Sequence, residues 1–138
     1  MSLLNKMYNK MHERDLKELL KLEIENQFKV LKDEKIRCLQ EIGYVRPRTR
    51  LEQMSADEYM SDKNFANILG LGQVIRKYPE LTDEDLRKFI SRNKMSFIFL
   101  NHLLKVMPDM IATIRDYGEK KVVFNYVRLI QSKKMRNR

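Results

Sequence analysis

The chain has 138 residues, 43% hydrophobic and 34% charged, with a formal net charge of +9. That length lies near the mode of single-domain sizes, and that balance excludes a disordered or fibrous chain. The charge is lopsided: residues 115–138 hold eight Lys and Arg against two acidic residues, and no acidic side chain follows Glu119.

Four glycines and three prolines are too few for turn-dense β structure, so the fold class expected is all-α: a long N-terminal helix plus a compact multi-helix bundle. The division expected is a long amphipathic helix over 1–45, a basic linker with a short helix over 46–60, and a bundle over 61–138 that ends in a basic helix and tail. In the first segment the apolar positions Leu16, Leu20, Ile24, Phe28, Leu31, Cys38 or Leu39, and Ile42 recur every three or four residues, with a gap at Lys35. Gly43, Tyr44 and Pro47 sign its end. Its start lies either near residue 3 or at an Asp15–Glu18 cap. A helix of about 40 residues would run ~60 Å, longer than a compact domain of this size, so self-association into a homodimer is the expected use of the excess.

Arg46, Arg48 and Arg50 follow on a stretch that Pro47 keeps extended. Ser55 with Glu58 is a possible opening of a short helix. Ser61 caps the next, with Phe65, Ile68, Ile75 and Tyr78 on one face. Gly70 and Gly72 inside it mark a close helix approach or a kink; one glycine short of a dinucleotide fingerprint, they are not a phosphate loop. Thr82 and Asp85 open another helix, with Asp83, Glu84 and Asp85 in the first turn where the dipole favours them. The segment Phe97–Val106 is apolar almost all round and is expected at the buried centre. Pro108 opens a helix that Gly118 closes, and a last helix carries the polar stripe Lys121, Asn125, Arg128 and Ser132.

Few residues can carry catalysis. Cys38 and His12, on one helix, would lie about 39 Å apart, too far for an activated pair. Cys38 reads as a small buried hydrophobe and His102 as a hydrogen-bonded core or boundary residue. The spacing of one cysteine and two histidines offers no zinc site, and no cofactor is expected. A single cysteine fits a reducing, cytoplasmic setting. The most apolar stretch, Met95–Met107, is interrupted by Asn101, His102 and Lys105, so no membrane span is expected.

The segment Leu81-Thr82 with Leu86-Arg87-Lys88-Phe89 resembles a short piece of the small helical subunits of type III CRISPR effector complexes, which are basic, all-α and RNA-contacting. It covers residues 81–89. The long first helix and the short remainder after it depart from that family's layout, so no membership follows.

The basic residues remain. A basic end on a balanced chain points to a polyanion, and each cation set near a phosphate releases counterion. The expected function is therefore a non-enzymatic nucleic-acid-binding protein, DNA or RNA, regulatory or part of a ribonucleoprotein or mobile-element apparatus. The residues expected to contact phosphates are Arg46, Arg48, Arg50, Lys120, Lys121, Asn125, Arg128, Lys133, Lys134, Arg136 and Arg138, with Tyr117 or Tyr126 stacking on an exposed base. A helix-turn-helix with its turn at Gly118 would face Lys120, Lys121, Asn125 and Arg128 outward, but sets Glu119 where an apolar residue is wanted. The alternative function is a protein–protein adaptor or assembly subunit working through the N-terminal helix.

Overall fold

A computed structural model describes residues 13–31, 33–41 and 60–136, and the side chains of 13, 14, 131 and 133–136 are left out of the description. Among the described residues the architecture is all-α. Its helices are α1 (Glu13–Lys29), α2 (Glu34–Glu41), α3 (Asp62–Lys77), α4 (Asp83–Arg92), α5 (Ile98–Val106), α6 (Met110–Tyr117) and α7 (Glu119–Arg136). The expected linker 46–60, apart from Met60, and the expected stop at Gly43 to Pro47 lie outside the described residues.

α3 is the centre of the bundle, packed against α1, α5, α6 and α7. No charged residue stands between Lys63 and Arg76, so the helix can be covered on every side. Phe65, Ala66, Ile68, Leu71, Val74 and Ile75 are buried. The expected centre, α5, is instead a flank: Leu100 and Leu103 are buried, but Ile98 is 71% exposed. Nine residues with one apolar face too many found fewer neighbours than sixteen with small residues at the contacts. At Gly70 an added Cβ would meet the backbone of Ile24 at 2.8 Å, so α1 lies almost directly on α3. The glycine pair thus marks close approach, and α3 continues through it unbroken.

α1 runs antiparallel to α3, with Glu23 paired to Lys77 and Lys35 (just beyond α1) reaching Asp62 at 3.0 Å. Leu16, Leu20 and Leu31 are buried as the spacing predicts, whereas Phe28 is 52% exposed. The continuous long helix is not what the described residues show, since α1 ends at Lys29, Val30 stands in a turn and α2 starts at Glu34. By that point α1 has reached the beginning of α3. Lys35 takes the place of an inward apolar residue, and the turn keeps Cys38 on the core.

The local signals act as read. Ser61 Oγ accepts from the Asn64 N–H at 3.2 Å, and Thr82 and Asp85 form a reciprocal capping box. In the segment 81–89, Thr82 is the cap and Leu81, Leu86 and Phe89 are core residues. Arg87 and Lys88, the two cations of that segment, are exposed, and Arg87 donates to the Pro108 carbonyl. Asn101 Nδ2 donates to the carbonyls of Ile90 at 3.0 Å and Phe97 at 2.9 Å, tying α4 to α5.

Candidate functional site

α7 has two faces. Val122, Val123 and Tyr126 are buried, with Val127 and Ile130 packed beside them. Lys120, Lys121 and Arg128 are exposed on the other side, and Phe124 and Asn125 sit at the boundary. The helix starts one residue after α6 ends. Gly118, at φ +92°, makes that corner in a conformation that suits glycine. One residue is shorter than the turn of a DNA-binding helix-turn-helix, so the corner is not that motif.

Glu119 fits by a tertiary device. Its carboxylate accepts from Arg76 and lies over Gly72, where a Cβ would collide with it. Gly72 and Arg76 are four residues apart on α3 and together make a seat for one charge. The residue that spoiled the helix-turn-helix pattern is thus accommodated by an element 43 residues away.

The cations of the basic end divide into two groups. Arg115 serves the fold: its guanidinium donates to Asp83 Oδ1 at 2.9 Å, the Pro79 carbonyl at 3.1 Å and the Leu81 carbonyl at 2.8 Å. Lys120 donates to Glu41, and that hydrogen bond raises its pKa above the ordinary lysine value. Lys121 and Arg128 do something else. Their charged groups lie 5.3 and 5.4 Å from the centre of the Phe124 ring, and among the described residues neither forms an ion pair. A ring at that distance orients a cation and stabilises it by about 0.5–1 kcal/mol when exposed, without neutralising it.

Tyr117, Lys120, Lys121 and Phe124 line one shallow, open concavity of about 630 Å3 at the α6–α7 corner. Tyr117 is 75% exposed. The other expected stacking residue, Tyr126, is corrected: it is 3% exposed, with its hydroxyl 3.3 Å from His102 Nε2 and its ring edge-on to Phe99 and His102. Its spacing from Val122 and Val123 puts it on the inward stripe, a signal present in the sequence. His102 is at the boundary, exposed but partnered.

Of the residues expected to meet phosphate, the structure brings together Lys120, Lys121, Asn125 and Arg128. Arg46, Arg48, Arg50 and Arg138 lie outside the described residues, as do the side chains of Lys133, Lys134 and Arg136. Cys38 is buried, and burial pushes its thiol up to about 11, so it stays protonated at neutral pH. Among the described residues no three His, Cys, Asp or Glu side chains are grouped to hold a metal, and no helix is long and apolar enough to cross a membrane. No protein-family model, curated protein or solved structure matches the chain.

Proposed function

We propose that this protein binds nucleic acid through the outward face of α7 and the basic residues that continue it, engaging phosphates. The observation that carries the reading is the ring-held pair Lys121 and Arg128, two cations ordered at the surface with their charge unspent. A fold that needed them would have paired them with carboxylates, as it does Arg115 and Lys77. Lys120 joins the same face. An exposed ion pair contributes only about 0–1 kcal/mol, so a phosphate can displace Glu41 from it.

The reading is tested by titrating a labelled oligonucleotide with the full chain between about 50 and 300 mM salt. Binding through six or more phosphates weakens about a thousandfold or more over such a range. Deleting residues 131–138, which hold Lys133, Lys134, Arg136 and Arg138, flattens the dependence. No retention at low salt overturns the proposal.

The adaptor reading rests on Leu22, Phe28, Val30 and Ile36, apolar side chains left exposed on α1, α2 and the turn between them. Leu22 and Phe28 lie about 120° apart around α1, so they do not form one stripe. Sedimentation of the intact chain over a concentration range decides it, and a monomer throughout removes the homodimer.

A further inference from the structure

The corner between α6 and α7 holds a feature that phosphate binding alone does not use. Tyr117 stands 75% exposed, beside Lys120, Lys121 and Phe124 around a concavity of about 630 Å3. The concavity is shallow and open, so it offers an exposed surface rather than an enclosed cleft. Phe124 is half-buried and engaged by the two cations beside it, so it forms the floor. The Tyr117 ring is the aromatic surface offered outward. The positive φ of Gly118 sets the direction in which α7 leaves α6 and so brings Lys120, Lys121 and Phe124 beside that ring.

We infer that this corner takes an unpaired base of a single-stranded nucleic acid, with Tyr117 stacking on the base and Lys120, Lys121 and Arg128 holding the flanking phosphates. The inference rests on the polyanion reading above and narrows it. A duplex presents phosphates but keeps its base faces stacked inside, so Tyr117 would gain nothing from it. A single strand presents both, and an aromatic ring among cations matches both at once. Every base has a π-face, so sequence preference is weak.

The test uses the full chain at one low salt concentration, with a thymidine strand, a uridine strand, an abasic sugar-phosphate strand and a duplex of equal length, read by fluorescence anisotropy. The base-bearing strands bind about fivefold or more tighter than the abasic strand, the low end of what one stacked base contributes. Tyr117→Ala lowers single-strand affinity to the abasic level and leaves the duplex unchanged. Tyr117→Phe keeps the wild-type values. Equal binding of base-bearing and abasic strands, or no effect of Tyr117→Ala, overturns the inference while leaving the polyanion reading standing. Absence of binding to all four removes both.

Discussion

α3 and α7 are similar in length and share a bundle, yet they treat charge in opposite ways. α3 keeps its charged residues at its two ends, and three of them close ion pairs with other parts of the chain: Asp62 with Lys35, Arg76 with Glu119 and Lys77 with Glu23. Its middle is small and apolar, so neighbours reach its backbone. α7 spreads cations along one side, and Lys121 and Arg128 rest against a phenyl ring. Charges on α3 fix where helices lie. On α7, Glu119 and Lys120 are likewise paired to other helices, and Lys121 and Arg128 leave positive charge at the surface after the fold is complete. Substitutions should therefore separate stability, concentrated around α3, from affinity, concentrated on α7.

The largest effect belongs to the centre. Phe65 is fully buried on α3, and Phe65→Ala should cost about 3–5 kcal/mol, a large share of the about 5–15 kcal/mol that holds a domain folded. Urea unfolding measures it, and a cost below about 1 kcal/mol would deny α3 its central place. Gly70→Ala comes next. The added Cβ meets the backbone of Ile24, which cannot yield as a side-chain tip can. Overpacking of about 1–3 kcal/mol should outweigh the gain in helix propensity of about 1 kcal/mol, so the variant melts lower. A variant that melts higher would show that α1 stands further off. Arg115→Met sharpens the contrast within the basic end itself. Loss of its three contacts should cost about 1–2 kcal/mol while leaving nucleic-acid affinity within a factor of about two.

How much of this was legible follows from the range of each signal. The capping box at Thr82 and Asp85 and the cap at Ser61 are contained within four residues, so the sequence displays them whole. Gly70 and Gly72 left close approach and a kink both open, and which helix approaches was not readable. The seat of Glu119 on Gly72 and Arg76, and the tie from Lys120 to Glu41, join residues 43 or more apart, and no local pattern encodes them. The centre was misplaced because Phe97–Val106 is the more apolar segment. Burial instead followed freedom from charge on all sides of α3 together with small residues at its contacts. Tyr117 and Tyr126 could have been told apart, since the spacing of Val122, Val123 and Tyr126 already defined the buried stripe.

The smallest effect concerns Lys120. Its pKa is raised in the folded chain by Glu41, so the stabilisation is fully present below the unfolded lysine value and is lost as pH rises through the folded one. Glu41→Gln should remove that alkaline dependence together with the same small stabilisation at pH 7, where the pair is fully charged. It should also raise nucleic-acid affinity slightly, because Lys120 is released. A fall in affinity would mean that Lys120 needs Glu41 to be positioned.

The most direct test of the α7 surface is the slope of log affinity against log salt for the wild-type chain and for Lys121→Ala/Arg128→Ala. The expected result is a slope shallower by about two for the variant, with a loss of stability no larger than about 1–2 kcal/mol, that of two exposed ring–cation contacts. An unchanged slope, or a variant that loses its fold, would contradict the claim that these two cations are held for a partner rather than for the structure.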